Sequence, residues 1–386
     1  MAEKIRLAYI ISDIDKALPF EWLAQYVSAE KFDLHFILLN PGDSQLEQFL
    51  KTEGLKVSRV TYRGKRDSGK AFWQTYRLLR RYKIEVVHTH LFTAAMIGLL
   101  AARLAGIKKR INTRHHATQN YEYYRRAVYY DKIINRLATH ILAISNNVRQ
   151  VLLEMDRVPA HKVHLVSHGF KLEIFEKVEP AAIASLAEKY STKGHFPVLG
   201  VIARYSHLKG YQYVLPAFEQ LLEVYPNALL LMANARGDYK REVGQMLAKI
   251  PTQHYRELLF ESDLPALYQL LDIYTHVPIN AQIEAFGQTY VEALAAGIPS
   301  VFTLSGIANE FIKHEQNALV VPYQDSTAIY QAWIRLLEDE PLRKKMIENG
   351  RQDVAARFGL PNYIQKLENL YQIAPKAPHF HKKKPA

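Results

Sequence analysis

The most informative absence in this chain of 386 residues is cysteine, of which it has none. This absence excludes disulfide bonds, thiolate metal centres and a cysteine nucleophile. Long apolar runs are missing too, since the longest, residues 93–107, has 15 residues and contains Arg103, which is too short for a bilayer. The first residues predict a strand rather than a signal peptide. We therefore expect a cytoplasmic location.

The formal charge of +12 favours an anionic partner, such as a phosphorylated substrate, an anionic lipid or a nucleic acid. No zinc-finger, RNP-type or Gly-x-x-Gly motif accompanies the charge, so we predict no nucleic-acid partner. A basic nucleic-acid-binding protein stays open as an alternative. A role in solubility, helped by a basic tail at 376–386, is another alternative.

Apolar strands alternate with amphipathic helices in two series, which predicts parallel sheets covered on both faces. The first series fills residues 1–178, and the second fills 195–358 after a polar, proline-containing stretch at 171–197. One of the strands predicted in the second series is ELLFES, at 257–262. The length and the pattern predict an α/β protein with two doubly wound, Rossmann-like domains.

The segment IEAFGQTYVEALAAGIPSV, at 283–301, predicts a helix from Gln288 to Ala296 that follows a strand and ends at Gly297. Gly287 precedes the helix and has no side chain to block a ligand. The free amides of Gln288 and Thr289, together with the helix dipole, would then favour an anion such as phosphate.

Two carboxylates flank this helix start, which suggests how a nucleotide sugar could bind. Glu284 lies in the loop at the carboxyl end of the preceding strand, where open α/β sheets place ligands. Glu292 lies one turn after Gln288 and could accept hydrogen bonds from a ribose diol. The segment would thus meet sugar, phosphate and ribose in that order. An ordinary capped helix with two surface glutamates is the alternative.

A second motif, GVIARYSHLKGYQYVLPAF at 200–218, places Arg204 and Lys209 after another predicted strand. Two cations at this edge of a sheet can neutralise the charge that develops on a diphosphate leaving group. The spacing alone would also fit a solvated surface.

Together the two motifs resemble the E-x7-E segment and the Arg, Lys-Gly segment of the retaining group 1 glycosyltransferases of family 4. That resemblance implies the GT-B fold, with two Rossmann-like domains facing each other across a cleft. It implies a sugar donor of the nucleotide-diphosphate type, with UDP and GDP both open, a retaining transfer, no cofactor and no obligatory metal. It further implies an acceptor-binding domain at 1–178, a donor-binding domain at 195–358, and a helix at 359–375 that crosses back to the first.

The activity implied by the resemblance is transfer of a hexose to an acceptor hydroxyl in the synthesis of cell-surface glycan, polysaccharide or glycolipid. RINTRHH resembles the strand that ends in a histidine facing the donor sugar, with His115 as the match and His116 as the second choice. The implied catalytic residues are His115, Arg204, Lys209 and Glu284. The implied donor-binding residues are Arg204, Lys209, Glu284, Phe286, Gly287, Gln288, Thr289 and Glu292.

The loop after the first strand, SDIDKALPF, departs from the family because it has no glycine to bring the backbone close to a phosphate. A non-catalytic GT-B partner or scaffold protein is therefore an alternative function. Asp13 and Asp15 form a D-x-D sequence, but its position after a first strand argues against a metal role. His88 and His90 share a strand face without a third ligand, which favours structural histidines.

Residues 101–136 hold nine lysine or arginine residues against Glu122 and Asp131, a net charge of +7, and five tyrosines. Basic residues interleaved with tyrosines suit an anionic membrane surface. We therefore predict a peripheral contact with the inner face of the cell membrane, near a glycan or lipid-linked acceptor. A solvated basic helix is the alternative.

Overall fold

A computed structural model describes residues 3–372 of the chain as two parallel sheets, each covered by helices on both faces. The predicted basic tail at 376–386 and residues 373–375 of the predicted last helix lie outside the described residues.

The first sheet has seven strands in the order β3-β2-β1-β4-β5-β6-β7, and every neighbouring pair is parallel. The strands are β1 (Ile5–Ser12), β2 (Phe32–Asn40), β3 (Lys56–Thr61), β4 (Val86–His90), β5 (Lys109–Arg114), β6 (His140–Ala143) and β7 (Val163–Leu165). The helices around it are α1 (Leu18–Tyr26), α2 (Gln45–Thr52), α3 (Ser68–Arg81), α4 (Phe92–Leu104), α5 (Gln119–Glu122), α6 (Arg125–Leu137) and α7 (Asn146–Gln150).

The second sheet has six strands in the order β10-β9-β8-β11-β12-β13, again all parallel. The strands are β8 (Val198–Ile202), β9 (Leu229–Ala233), β10 (Tyr255–Leu258), β11 (Ile273–His276), β12 (Ser300–Phe302) and β13 (Leu319–Val320). Two helices precede it, α8 (Glu173–Glu176) and α9 (Pro180–Lys189). The others are α10 (Tyr211–Val224), α11 (Lys240–Leu247), α12 (Leu264–Tyr268), α13 (Gln288–Ala296), α14 (Ala308–Phe311), α15 (Ser326–Glu338), α16 (Glu340–Phe358) and α17 (Leu360–Gln372).

Strands such as β1, β8 and β9 are mostly apolar because helices bury both faces of each sheet. In β1, Leu7, Tyr9 and Ile11 enter one core, while Ala8 and Ile10 enter another on the opposite face. All five are fully buried. The prediction of two doubly wound α/β sheets is therefore confirmed.

The strand predicted at 257–262 is present but its bounds are wrong, because β10 runs from Tyr255 to Leu258. Leu259 and Phe260 follow it with 60% and 59% of their surface exposed. Two consecutive apolar residues are typical of a buried strand, but these two lie in an exposed loop.

The last helix, α17, packs against the first sheet and ties the chain end to the N-terminal half. The Tyr371 hydroxyl lies 2.5 Å from the Tyr9 hydroxyl and 2.8 Å from His88 Nδ1. Glu368 accepts hydrogen bonds from the Ser28 amide at 2.9 Å and from Lys31 Nζ at 2.8 Å. These contacts give the buried polar side chains of this helix hydrogen-bond partners in the N-terminal half.

Within residues 3–372, no helix combines the length and the apolar composition that crossing a bilayer would need.

We predict that Tyr371→Phe lowers the free energy of unfolding by about 1–3 kcal/mol, because it leaves buried polar atoms of Tyr9 and His88 short of a partner. Urea denaturation measures the change. Tyr129→Phe is the control, since that side chain is 67% exposed. Equal stability of the two variants would contradict a structural role for the buried hydroxyl.

Candidate functional site

A cavity of about 260 Å³ lies between the two sheets, at the carboxyl ends of strands from both. The N-terminal half contributes His115, His116, Ala117, Gln119, Ile144 and His168 to its wall. The C-terminal half contributes Arg204, Ser206, Leu208, Lys209 and residues 283–288. The two motifs singled out in the sequence therefore meet at one place.

The start of α13 forms one wall of the cavity. The helix runs from Gln288 to Ala296, with the bounds that the sequence predicts, and no side chain caps its first turn. Gly287 has φ +85°, and a Cβ atom there would lie 2.6 Å from the Tyr290 ring. Glycine is thus required at this turn, and Gly287 and Gln288 line the cavity at the uncapped helix end.

Glu284 is buried in the same wall and forms an ion pair with Lys209. His276 Nε2 donates to the same carboxylate oxygen at 3.1 Å, and Ser305 Oγ accepts from the Glu284 amide at 3.2 Å. Burial alone would raise the pKa of Glu284, but the Lys209 charge and the His276 hydrogen bond outweigh it and hold that pKa well below its usual range. The carboxylate is therefore ionised at neutral pH.

Lys209 reaches Glu284 because a short turn, His207–Lys209, follows β8. Ser206 begins the turn and Gly210 ends it with φ +80°. A Cβ atom on Gly210 would lie 2.1 Å from the Val277 carbonyl oxygen, so only glycine lets the turn pack against the end of β11.

Arg204 is exposed at the cavity wall and makes no hydrogen bond or ion pair with any other residue between 3 and 372. Its guanidinium is free to bind an anion that enters the cavity. The two predicted cations therefore differ, because Lys209 is already paired with a carboxylate and Arg204 is not.

Thr289 and Glu292 are not part of the cavity wall, unlike the other residues that the resemblance implies. Glu292 is buried, and the Tyr268 hydroxyl donates to it at 3.0 Å. Burial raises the pKa of Glu292 to about 7, with the Tyr268 hydrogen bond acting in the opposite direction. Its contact with a ribose stays a prediction, which now requires the buried carboxyl to be reached from the cavity.

The two candidate histidines have different partners. His115 follows β5, with Nε2 3.1 Å from His90 Nδ1 and its ring stacked on that of His168 at 5.7 Å. His116 Nε2 is hydrogen-bonded to Asp131 at 2.9 Å. Both line the cavity. Among residues 3–372, the side-chain partners of His115 are other imidazoles, whereas His116 is hydrogen-bonded to a carboxylate.

The imidazoles beside His115 continue into the first sheet. His88 Nε2 lies 2.7 Å from Thr113 Oγ1, and the His88 ring lies 4.3 Å from that of His90. Burial lowers the pKa of His88 and of His115 to about 3 and that of His168 to about 4, and it lowers the pKa of His90 well below its ordinary value. These side chains are therefore neutral at pH 7.

Sequence reasoning missed His276, His168 and Tyr268, which orient Glu284, His115 and Glu292. His276 ends the strand before the Glu284 loop, and His168 follows the last strand of the first sheet. A polar residue at the carboxyl end of a buried strand was thus the signal available.

The D-x-D sequence has a structural role at one of its two residues. Asp15 accepts hydrogen bonds from the Gln45 amide at 3.1 Å and from Gln45 Nε2 at 2.9 Å. Within the described part of the chain, no three histidine or acidic side chains converge in an arrangement that could hold a metal ion.

The basic stretch at 101–136 carries less surface charge than its composition suggests. Lys109 and Arg114 are buried, and Arg114 pairs with buried Asp131 at 2.8 Å. Arg110 donates to the carbonyl oxygens of Ile107 and Leu137. The exposed basic residues are Arg103, Lys108, Arg125, Arg126, Lys132 and Arg136, against exposed Glu122. The surface charge is therefore +5, from six basic residues and one acid, and not +7.

Two family models match the chain, "Glycosyltransferase Family 4" over residues 22–174 and "Glycosyl transferases group 1" over residues 183–353. The chain belongs to these glycosyltransferases. Its own sheets and cavity supply the GT-B arrangement that the group 1 glycosyltransferases share.

Curated relatives of this glycosyltransferase are distant. An uncharacterized glycosyltransferase of Methanocaldococcus jannaschii is 24% identical over 61% of this chain and 60% of its own length. A UDP-Gal:alpha-D-GlcNAc-diphosphoundecaprenol alpha-1,3-galactosyltransferase of Escherichia coli is 22% identical over 89% of both chains. A putative Bacillus subtilis glycosyltransferase is matched over 62% of its length, so the chain spans less than two thirds of two of these relatives.

Solved structures share the fold of this glycosyltransferase. Anabaena HepE, in complex with UDP and glucose, has a TM-score of 0.81 at 17% identity, with 95% of this chain and 98% of that chain covered. WaaG, a glycosyltransferase of lipopolysaccharide biosynthesis, has a TM-score of 0.71 at 14% identity, with 95% and 99% covered. The GT-B fold is therefore confirmed.

We predict that the glycosyltransferase loses stability as the pH falls from 7.5 to 5.5. Unfolded histidines take up protons below about pH 6.5, whereas buried His88 and His90 have lowered pKa values and stay neutral in the fold. Each such histidine should cost about 1 kcal/mol over this range.

Urea denaturation at several pH values measures this effect. His88→Gln should reduce the slope of stability against pH, and His161→Gln, at an exposed position, serves as the control. Equal slopes in the wild type and His88→Gln would contradict a neutral, buried His88.

Proposed function

We propose that the protein is a retaining glycosyltransferase that moves a hexose from a nucleotide-diphosphate-sugar donor to an acceptor hydroxyl. The observation that carries the proposal is the convergence of Arg204, Lys209, Glu284 and the uncapped start of α13 on one cavity between the two sheets. Two cations, an open helix end and a buried carboxylate match the charges of such a donor.

In this proposal the diphosphate lies at the start of α13. Arg204, Lys209 and the amides of Gln288 and Thr289 would stabilise its charge as the bond to the sugar breaks. The donor nucleotide would bind to the C-terminal domain, 195–358, and the acceptor to the N-terminal domain, 1–178. The closed cavity would hold both in position, which is the main source of catalysis here.

Glu284 would orient the transferred sugar, since the diphosphate takes Lys209 and leaves the carboxylate free for sugar hydroxyls. A phosphate oxygen of the donor could accept the acceptor proton on the same face, so that no protein base and no metal is required. His115 would contact the sugar from the N-terminal side as a neutral hydrogen-bonding group. A covalent intermediate on Glu284 is compatible with the same geometry.

The relatives support the donor and acceptor classes. HepE structures contain UDP, UDP with glucose, or UDP-glucose, and the Escherichia coli relative is named for a UDP-sugar and a diphosphoundecaprenol-linked acceptor. A capsular polysaccharide biosynthesis glycosyltransferase of Staphylococcus aureus is 25% identical over 305 residues. We therefore infer that this protein acts in the synthesis of a cell-surface glycan, polysaccharide or glycolipid.

A non-catalytic GT-B partner protein is the second candidate, and the glycine-free loop after β1 favours it. In the structure, Asp13 in this loop has φ +57°, which costs a non-glycine residue energy. Hydrolysis of a nucleotide sugar without an acceptor separates the candidates, because only an enzyme would turn the donor over.

We further propose that the surface formed by the exposed basic residues of 101–136 and their neighbouring tyrosines docks on an anionic membrane. Tyr123, Tyr124, Tyr129 and Tyr130 are all exposed there, each with 44–67% of its surface. Tyrosine rings suit the headgroup region of a bilayer. Docking would bring the acceptor side of the cavity to a lipid-linked acceptor and make the enzyme a peripheral membrane protein.

Arg204→Ala should weaken nucleoside-diphosphate binding by about 10- to 100-fold, because one charge-assisted hydrogen bond contributes about 1.5–3 kcal/mol. Calorimetry with UDP and GDP measures the affinity, and a panel of nucleotide sugars then identifies the donor. Lys209→Ala should act in the same direction. Lys249→Ala, an exposed lysine of the same domain, is the control. Unchanged affinity in both site variants would remove the proposed diphosphate site.

The buried Glu292 makes nucleotide affinity depend on pH. A ribose diol donates hydrogen bonds to the ionised carboxylate, and the pKa of Glu292 is about 7 in the free protein. Affinity should therefore fall as the pH drops below about 7 and level off above it. Glu292→Gln should bind more weakly and lose this pH dependence. The same pH dependence in wild type and Glu292→Gln would contradict a ribose contact.

Reversal of charge in Arg125→Glu/Arg126→Glu should reduce co-sedimentation with anionic liposomes, since each basic residue near a charged membrane contributes about 1 kcal/mol. Nucleotide binding should not change. Lys344→Glu/Lys345→Glu, an exposed adjacent pair on α16, is the matched control. If the wild-type protein does not bind anionic liposomes at low salt, the surface has another role.

A further inference from the structure

The residues after β6 reach across the domain boundary to the loop that carries Glu284. Asn147 Nδ2 donates to the carbonyl oxygens of Gln282 at 2.9 Å and Glu284 at 2.8 Å. The Ser145 hydroxyl donates to the carbonyl oxygen of Ala285 at 2.5 Å. Three hydrogen bonds from two side chains thus reach the main chain around the candidate donor-site carboxylate.

A neighbouring contact fixes the same segment to α14. Glu310 accepts a hydrogen bond from the Asn146 amide at 2.6 Å and from Asn146 Nδ2 at 2.9 Å. The two domains are therefore joined at this point by directional bonds. Each of these bonds depends on the relative position of the domains.

The Glu284 loop receives different support from the two domains. From its own side, Ser305 Oγ accepts from the Glu284 amide, and Asn280 Oδ1 accepts from the Gln282 amide. Between residues 3 and 372, the carbonyl oxygens of Gln282, Glu284 and Ala285 accept hydrogen bonds only from the N-terminal domain. The N-terminal domain therefore supplies the donors to these three carbonyl oxygens. The carbonyl oxygens of Ala281 and Phe286, at the two ends of the loop, accept from the amides of Gly306 and Ile307 in the C-terminal domain.

We infer that Asn147 is a positioning residue for Glu284, through which the arrangement of the two domains sets the geometry of the donor-site carboxylate. The side chain of Glu284 is held by Lys209 and His276 of its own domain. Its carbonyl oxygen is held by Asn147. If the domains separate, the carbonyl oxygens of Gln282, Glu284 and Ala285 lose these partners, and the carboxylate loses its fixed position.

This inference rests on the proposed transfer reaction, in which Glu284 orients the sugar. It goes further, because it makes the N-terminal domain responsible for the donor site as well as for the acceptor. Displacing a positioning group by about 1 Å can lower a rate by about 100-fold without weakening binding. A defect confined to turnover is therefore the signature to look for.

Asn147→Asp keeps the shape of the side chain, removes its two N–H donors and sets a negative charge against two carbonyl oxygens. Asn147→Ala removes the contact without adding charge. We expect both variants to lower kcat for transfer or donor hydrolysis by about 10- to 100-fold. Affinity for UDP or GDP, measured by calorimetry, should stay within about twofold, because the diphosphate contacts lie elsewhere. Thermal unfolding verifies that each variant is folded.

Gln150→Glu is the matched control, since it makes the same change of amide to carboxylate at an exposed position on α7. It should keep kcat and nucleotide affinity. If folded Asn147→Asp and Asn147→Ala both keep the wild-type kcat, the inference is wrong while the proposed function stands.

A second measurement does not require activity. The chain has no native cysteine, so Lys132→Cys and Glu219→Cys, both exposed and on opposite domains, can be spin-labelled cleanly. Asn147→Asp should broaden the distance distribution between the labels and shift it to longer distances. If the wild type neither transfers sugar nor hydrolyses any donor, the proposed function fails. The distances between the two labels then still test whether Asn147 holds the domains together. An unchanged distribution in Asn147→Asp would overturn the positioning role.

Discussion

The ion pair between Lys209 and Glu284 is the interaction on which the candidate site depends. Both charges are held where two strands of the second sheet end, and Glu284 is buried. A buried charge without a partner is costly, so Glu284 would be destabilising without Lys209, whereas the Lys209 side chain keeps 24% of its surface exposed. A ligand that supplies phosphate to Lys209 and hydroxyl groups to Glu284 would replace each partner with another. The two charges of the pair therefore stabilise each other, and a donor with those groups would bind by replacing both partners.

The two domains contribute unequal chemistry to this site. The C-terminal domain supplies Arg204, Lys209 and Glu284, while the N-terminal domain supplies a row of neutral imidazoles that continues through His115 to His168. The same domain holds the main chain of the Glu284 loop through Asn147. A donor bound to one domain would thus also contact the other, so that catalysis would depend on contact between the domains.

Local sequence patterns predicted most helices and strands, but they could not predict which distant side chains contact one another. The helix Gln288–Ala296 was predictable because glycines mark both of its ends. The strand predicted at 257–262 has the wrong bounds because Leu259 and Phe260 are apolar yet exposed, a distinction that only tertiary structure makes. Likewise, 75 residues separate Lys209 from Glu284, so their pairing follows from the fold of the second sheet. The burial of Arg114 with Asp131, which reduces the basic surface, has the same origin.

Glu284→Gln tests the central claim most directly, because it keeps the size of the side chain and removes the charge that competes for Lys209. We predict by calorimetry that the affinity for UDP or GDP stays equal to that of the wild type or increases, since the diphosphate no longer has to displace a carboxylate. Transfer from the nucleotide sugar should fall at the same time. A marked loss of nucleoside-diphosphate affinity in a folded Glu284→Gln variant would contradict the exchange of partners at this pair.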